Sequence, residues 1–460
     1  MIKSVLIANR GEIALRVART CRELGLRTVA VYSDADADSA VVRFADSAVR
    51  IGPSPSKSSY LRIPAIVEAA RISGADAIHP GYGFLSEDPD FAEVCEAEGL
   101  TFIGAPASVM AALGDKARAR GIMLEAGLPL LPGSRDPIPD ADEAEAFAAA
   151  IGYPVIVKAV AGGGGMGMAV VSDPAQFRAA FEKTGATALA IFGDGRLYVE
   201  RYLQAARHVE IQVLADRHGN VVHLGGRDCS LQRRQQKLVE ESPVPGISPE
   251  HAAELGAAAV RGALAAGYVG AGTFEFLLDP VRGEFYFMEV NCRLQVEHPV
   301  TEMVTGIDLV HEQIRIAAGE PLGYGQDDIV HRGAAIECRI NAEDPARGFQ
   351  PTPGLLTRFE PPGGPWVRVD THARPGYTVP AHYDSLLAKV IVWAPDRAAA
   401  IARMRRALGE LRADGPSVTT TAAFLSDLID HPRFRAAEHD TAMVTALFAG
   451  EKAGKLKAAK

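Results

Sequence analysis

Four consecutive glycines, Gly162 to Gly165, stand between two apolar stretches, Val155-Ile156-Val157-Lys158-Ala159-Val160 and Met168 to Val171. Both flanks read as strands, so the glycine run forms the tip of a hairpin. No other feature constrains the fold as strongly, because a P-loop and a dinucleotide-binding turn both run into a helix. A glycine hairpin can still press backbone N–H groups against phosphate oxygens, since no side chain blocks the approach. Lys158, on the strand that feeds the loop, could carry its ammonium to an α- or β-phosphate, and Lys116 is a second candidate. A merely flexible surface hairpin is the alternative reading.

The chain opens differently. Residues 3–8 read as a buried strand, and Ile13, Val17, Cys21 and Leu24 then fall on one helical face before Gly25 stops the helix. Another strand follows at 28–32, and the alternation continues to about residue 105. That pattern predicts a parallel, doubly wound first unit. Its first turn, Asn9-Arg10-Gly11-Glu12, has a single glycine and places a carboxylate near the helix N-terminus, where it would repel a pyrophosphate. A dehydrogenase is therefore excluded.

A stretch rich in Pro and Asp, Leu131 to Asp142, precedes the glycine hairpin. From 208 to about 291 the pattern gives short alternating strands around one helix near 250–266. From 333 it gives a mixed segment ending in helices near 396–412 and 417–430. At 460 residues the chain is too long for one ordinary core, so two or three units are expected. The net charge of −9 removes the electrostatic drive for nucleic-acid binding. No run reaches the roughly 18 apolar residues that cross a bilayer, and charge interrupts the N-terminus too early for a signal sequence. These features predict a cytoplasmic protein with no membrane association. Five scattered cysteines, Cys21, Cys95, Cys229, Cys292 and Cys338, argue against a disulfide framework and against zinc, and read as buried thiols.

Three constellations carry chemistry. In Arg207 to Leu214 the alternation puts His208, Glu210 and Gln212 on one face, which must meet a ligand, a polar layer or water. Glu275 and Glu289 lie in two strongly apolar strands joined by Asp279 to Glu284. If that hairpin is symmetric about Arg282, the glutamates stand opposite, with Cα atoms roughly 4.5–5.5 Å apart. Two carboxylates so placed need a proton or a cation between them, and beside a phosphate loop the hard oxygens point to Mg²⁺. In Asn291 to Glu302 the spacing-two set Arg293, Gln295 and Glu297 would line one side of an extended segment. It could hold a small planar anion while Glu297 takes its proton; a surface ion-pair cluster is the alternative. His298, beside Pro299, reads as a structural histidine.

At these residues the chain resembles biotin carboxylase, an ATP-grasp enzyme, over essentially its whole length. The resemblance is carried by Ile7 to Ala14, His79 to Glu87, the glycine loop, Arg227 to Ser230, Gln236-Lys237, Gly272 to Phe276, Arg293 to Glu302, Glu337 to Pro345 and Gly376. It implies an α/β and α+β chain of three parts. A Rossmann-like N-terminal domain would span 1–113, an ATP-grasp core 114–330 with its glycine-hairpin lid at about 131–203, and a C-terminal domain 331–445, followed by a flexible tail 446–460. It also implies ATP, Mg²⁺ (or Mn²⁺) and biotin as a carrier-bound substrate. ATP would be held by Lys116, Lys158, Gly163, Gly164, Gly165, Met168, Glu200, Arg201, Leu203, His208, Gln232, Gln235, Glu275, Leu277 and Glu289. The metal would fall to Glu275 and Glu289 with Asn291, bicarbonate to Arg293, Gln295 and Val296, and biotin to Tyr82, Glu87 and Arg339. Glu297 would be the base, Arg339 the group that stabilises the biotin enolate, and Lys237 a further member of the catalytic set.

Some positions depart from the common acyl-CoA and pyruvate types. Met166 stands where Arg or Lys is usual, Gln235 where His often stands, Gly226 where a Glu precedes Arg227, and Cys292 where Thr is usual. Losing a lid cation and a histidine near the ribose should weaken ATP contacts or alter lid closure. No Met-Lys-Met type biotinylation segment and no carboxyltransferase-like stretch is present, so the carrier and carboxyltransferase are expected on other polypeptides; a homodimer is what the resemblance implies. Two rivals stay open: another ATP-grasp ligase acting on a different carboxylate, and a silent assembly protein that binds nucleotide without turnover.

Overall fold

The computed structural model describes residues 2–134, 136–161 and 167–448. The first unit is a five-stranded sheet ordered Ser47–Gly52, Arg27–Ser33, Ser4–Ile7, Ala77–His79, Thr101–Phe102. Every neighbouring pair is parallel, as the alternation predicts. Its first helix, Gly11–Glu23, buries Ile13, Val17 and Cys21 and ends where Gly25 takes a φ of 70°.

The lid is a small layered unit. Strands Met168–Val171, Val155–Ala159 and Leu197–Arg201 pair antiparallel, so the two strands flanking the glycine run do form a hairpin. Helices Ala141–Ile151 and Phe177–Phe192 cover the sheet through Ala144, Ala148, Phe177 and Phe181, which meet Val155, Val157, Leu197 and Val199. The loop glycines Gly163, Gly164 and Gly165, with Met166, lie outside the described residues.

The body of the molecule is one eight-stranded antiparallel sheet. Its order is Glu284–Asn291, Gly270–Asp279, Arg207–Ala215, Val221–Arg233, Gln236–Ser242, Ala334–Asn341, Leu386–Ala394, Val367–Thr371. The C-terminal segment thus adds three strands to the edge of the preceding sheet, through the pair Gln236–Ser242 and Ala334–Asn341. Period two sorts its third strand, Arg207–Ala215, into two environments. Val209, Ile211 and Val213 pack with Leu255, Ala258 and Ala259 of the helix Pro249–Ala265. On the other face Leu214 meets Leu309 and Val310, which leaves His208, Glu210 and Gln212 to face a polar layer. Phe274, Phe276 and Phe287 are fully buried beside this strand, each worth about 1.5–3 kcal/mol. That apolar backing holds the polar face rigid.

Three local expectations need correction. The Glu275/Glu289 hairpin is not symmetric about Arg282, because Asp279 pairs with Glu284 and Phe276 with Phe287. A bulge between Glu275 and Phe276 shifts the register by one and restores Glu275 opposite Glu289. The helix expected from 417 starts at Ala422, because Arg412–Asp414 pairs as a strand with Arg358–Glu360 and Gly415 bridges Val418. The tail expected from 446 does not begin there: Phe448 packs its ring 5.2 Å from Phe349 and 5.4 Å from Phe424. Among the described residues no helix is long and apolar enough to cross a membrane, and all five cysteines are free and buried.

Candidate active site

The polar face of the large sheet is a layer of buried charge in which nearly every group is answered by another. Arg227, with no exposed surface, donates from Nε to Glu210 Oε1 (2.6 Å), from Nη1 to Gln212 Oε1 (2.8 Å) and Thr301 Oγ1 (2.9 Å), and from Nη2 to Thr273 Oγ1 (3.2 Å). A buried guanidinium requires such satisfaction, and in obtaining it ties three strands to the helix His298–Thr305. Lys237 donates from Nζ to Glu210 (2.5 Å), Glu297 (2.5 Å) and Glu275 (3.2 Å). His208 Nε2 lies 2.9 Å from Glu275 Oε2. The face shared by His208, Glu210 and Gln212 therefore meets protein charge and not water.

Glu297 sits at the turn that starts the helix His298–Thr305, buried, with Lys237 on one oxygen and Arg339 Nη2 on the other at 2.8 Å. Burial alone would raise its carboxyl, but Lys237, Arg339 and Arg227 outweigh it and hold the pKa well below the usual carboxylate range. Burial likewise opposes the charged form of His208, and the Glu275 carboxylate outweighs it and raises the imidazole. Burial would raise Glu275 too, but Lys237 and then His208 outweigh it and lower its pKa.

The segment Cys292 to Glu297 is not an extended strand; it turns into the helix, which separates the set of three predicted from spacing. Arg293 and Gln295 stay together, Arg293 Nη1 donating to Gln295 Oε1 at 3.1 Å. Gln295 is buried, and its Nε2 has no hydrogen-bond partner among the described residues, a donor left for a ligand oxygen. Glu297 instead reaches inward to Lys237 and Arg339. His298 is buried and its Nδ1 pairs with the Gln295 carbonyl at 2.9 Å, so it serves the turn as expected.

Glu87 accepts from Cys292 N (2.8 Å) and Arg293 Nε (2.7 Å), joining the N-terminal unit to the turn before the helix His298–Thr305. The Tyr82 hydroxyl donates to Glu12, and burial followed by the Glu12 charge pushes that phenol up, while the Arg339 charge reaches it and pulls the other way. Lys389, buried in the strand Leu386–Ala394, donates to the Val296 carbonyl (2.8 Å) and lies 3.1 Å from Glu12. The carboxylate at the first helix N-terminus thus locks that unit to the large sheet.

Toward the lid, Glu200 accepts from Lys158 (2.5 Å) and Arg120 (2.7 Å), and these cations, with Lys116 nearby, overcome burial to lower its pKa. Lys116 opens the helix Lys116–Glu125, and its charge reaches Glu289 as well. Glu275 and Glu289 are paired across their strands, Glu275 buried and Glu289 exposed. Surrounding protein and then the Glu275 charge push the Glu289 carboxyl up. Asn291 Nδ2 donates to Glu275 Oε1 at 2.8 Å. Two opposed carboxylates with an amide beside them offer hard oxygens of the kind that would hold Mg²⁺.

Not every expected residue joins this layer. Met168 is paired with Lys158, Leu203 and Leu277 are half-buried, and Gln232 is paired with Lys237. Arg201 turns its guanidinium to the Ile151 carbonyl (3.0 Å) within the lid. Gln235 is exposed at a hairpin tip with a φ of 66°, following Arg234 at 48°, as a two-residue turn with both φ positive demands. Among the departures, Gly226 follows a bulge, where an added Cβ would stand 2.9 Å from Val244. Sequence reasoning missed Arg120, Glu240 and Lys389. One signal would have found Lys389: a charged residue inside a strongly apolar strand, the same signal that singles out Glu275.

Three family models match the chain in succession. They are the biotin carboxylase N-terminal domain over residues 1–110, the carbamoyl-phosphate synthase L chain ATP binding domain over 115–324, and the biotin carboxylase C-terminal domain over 337–446. Biotin carboxylase 1 of Bacillus subtilis is 52% identical over 96% of this chain and 98% of its own length. A pyruvate carboxylase subunit of Methanothermobacter thermautotrophicus is 51% identical over 96% of this chain and 90% of its own. Among solved structures, a biotin carboxylase β-γ-ATP complex from Campylobacter jejuni superposes with a TM-score of 0.93 at 47% identity, covering 97% of this chain and 99% of that one. The biotin carboxylase domain dimer of Hydrogenobacter thermophilus 2-oxoglutarate carboxylase, bound to MgADP, ADP and bicarbonate, gives 0.91 at 48% identity, covering 96% and 97%. By these matches along nearly its whole length, the chain belongs to the biotin carboxylase family.

Proposed function

We propose that this chain carboxylates biotin with ATP and bicarbonate through carboxyphosphate, the first half-reaction of a biotin-dependent carboxylase. The observation that carries the reading is Gln295, whose buried Nε2 lacks a partner among the described residues and whose Oε1 is held by Arg293, two residues before the buried carboxylate of Glu297. A small anion finds donors there.

Arg293, Gln295 and the Val296 backbone, which Lys389 holds from behind, would bind bicarbonate. Bicarbonate is a poor nucleophile until deprotonated. Glu297 would take its proton as the oxygen attacks the γ-phosphate, and because Lys237 and Arg339 keep Glu297 a weak base, transfer and attack are concerted. Lys158 and Lys116, with His208, Glu200, Arg201, Leu203, Gln232, Gln235, Leu277, Met168 and the loop glycines, would hold the nucleotide. Glu275 and Glu289, with Asn291, would hold Mg²⁺, which supplies charge neutralisation at the phosphates. Carboxyphosphate then gives CO₂ and phosphate; phosphate deprotonates biotin, and Arg339 pairs with the enolate oxygen, Tyr82 and Glu87 lying beside the ring. Lid closure would keep water from carboxyphosphate.

In this reading the parts are 1–113, 114–330 with its lid at 131–203, and 331–445. Biotin arrives on a carrier protein, the carboxyltransferase is a separate chain, and the working unit is a homodimer in the cytoplasm. Similar identities to a biotin carboxylase and to a pyruvate carboxylase component leave the final acceptor to the carboxyltransferase. The test is ATP hydrolysis by the purified chain. It is expected to need bicarbonate and to rise with free biotin. An equal rate in CO₂-free buffer, or no effect of biotin, overturns the reading and favours another ATP-grasp ligase or a silent assembly protein.

A further inference from the structure

Glu240 and Glu337 stand opposite one another on the antiparallel strands Gln236–Ser242 and Ala334–Asn341. Opposed residues share one face of a sheet, with Cβ atoms roughly 4.5–5.5 Å apart. Neither glutamate has any exposed surface. Glu240 Oε1 accepts from Arg339 Nε at 2.6 Å, and Arg339 Nη2 reaches Glu297 at 2.8 Å. The remaining Glu240 oxygen and both oxygens of Glu337 have no hydrogen-bond donor among the described residues.

Two ionised carboxylates cannot stand together in a dry site while three of their oxygens lack donors, since each unanswered acceptor costs about 1–3 kcal/mol. The charged groups facing them do not supply the deficit. Lys389 gives its ammonium to Val296 and Glu12, and Lys237 gives its own to Glu210, Glu275 and Glu297. Arg339 is bridged between Glu240 and Glu297. Cys229, from the strand Val221–Arg233, is a buried thiol near Glu297. The missing donor is a proton on one of the two carboxyls.

We infer that Glu240 and Glu337 hold one proton between them, and that neutral Glu337 is a positioning residue for Arg339. The Glu337 O–H donates to Glu240 and fixes that carboxylate against the Nε and Nη2 of Arg339, so that Nη2 stays at Glu297. Burial, against the pull of Lys389 and with the push of Glu240, raises the Glu337 carboxyl well above its usual value, and burial raises Glu240 to about 7. Losing the shared proton at alkaline pH would set two like charges behind Arg339 and release its alignment. The inference rests on the reading that Arg339 serves the biotin step.

The full-length chain tests it through Glu337→Gln and Glu337→Leu. Glutamine can still donate to Glu240 but cannot ionise. Glu337→Gln is expected to keep neutral-pH turnover with free biotin and to move the alkaline limb of the pH profile to higher pH. Glu337→Leu is expected to lower kcat about tenfold, equivalent to one lost buried hydrogen bond, with the KM for ATP unchanged. Infrared difference spectra of the nucleotide-free proteins should show the carbonyl stretch of a protonated carboxylic acid in the wild type that Glu337→Gln lacks. An alkaline limb that coincides with the wild type in Glu337→Gln, or identical spectra in that carbonyl region, overturns the inference. A wild-type chain that shows the infrared band without biotin-dependent turnover would instead remove the functional reading and leave the shared proton standing.

Discussion

Replacing Lys237 by glutamine removes an ammonium on which three buried carboxylates converge, at 2.5 Å from Glu210, 2.5 Å from Glu297 and 3.2 Å from Glu275. Breaking one buried ion pair by deleting a partner costs about 3–5 kcal/mol. The three losses do not add, because each carboxylate keeps a second cationic neighbour: Arg227 for Glu210, Arg339 for Glu297 and His208 for Glu275. The lower end, about 3 kcal/mol, is the expectation, which lowers the melting midpoint of a cooperative unit of 150–250 residues by about 6–12 °C. The pH dependence carries a sign. In the wild type Glu297 titrates below the ordinary carboxylate range, so its contribution is present above that range and is lost as pH falls through the folded value. Without Lys237 burial gains on the remaining cations and the Glu297 pKa rises. The stabilisation is then smaller at neutral pH, and on acidification its loss starts in the same ordinary carboxylate range but is complete at a higher pH. Thermal melts of both proteins from acid to neutral pH measure this directly. Equal midpoints at neutral pH, or parallel curves on acidification, would refute the account of Lys237 as the cation that holds this layer together.

Glu297→Gln should lower bicarbonate-dependent ATP turnover about a hundredfold or more while calorimetric affinity for MgADP stays unchanged; undiminished turnover would remove Glu297 as base. Arg293→Lys gives up a planar guanidinium that joins Glu87 to Gln295, and the KM for bicarbonate should rise about tenfold with a smaller change in the KM for ATP. Glu289→Ala should raise the Mg²⁺ concentration giving half-maximal activity about tenfold, yet leave the metal-free melting midpoint unchanged or higher, because it relieves repulsion from Glu275. Lys389→Met leaves Glu12 buried without its cation and should destabilise the chain by about 3–5 kcal/mol in urea titrations.

The parallel first unit was legible because strand and helix periods alternate cleanly there, and Gly25 marks a helix end in the left-handed region as glycine allows. The pairing of Glu275 with Glu289 was legible from a hairpin count, but the bulge that makes it true was not, because an extra residue in one strand leaves no mark on local composition. The separation of Glu297 from Arg293 and Gln295 was hidden for a related reason: spacing two presumes an extended chain, and the backbone bends into a helix at Glu297. Long-range partners were the least legible. Nothing near Glu12 announces Lys389, and nothing near Glu240 announces Glu337, since both pairs are made by the docking of distant strands and units. What the sequence did signal was that a charge inside an apolar strand must find such a partner.

The proposed chemistry has bicarbonate, held by Arg293 and Gln295 and deprotonated by Glu297, attack the γ-phosphate through one of its oxygens. Turnover of ATP and free biotin with bicarbonate enriched in heavy oxygen, followed by mass analysis of the phosphate released, tests it most directly. The account predicts that each phosphate formed carries a labelled oxygen taken from bicarbonate. Phosphate labelled only from solvent water would contradict it.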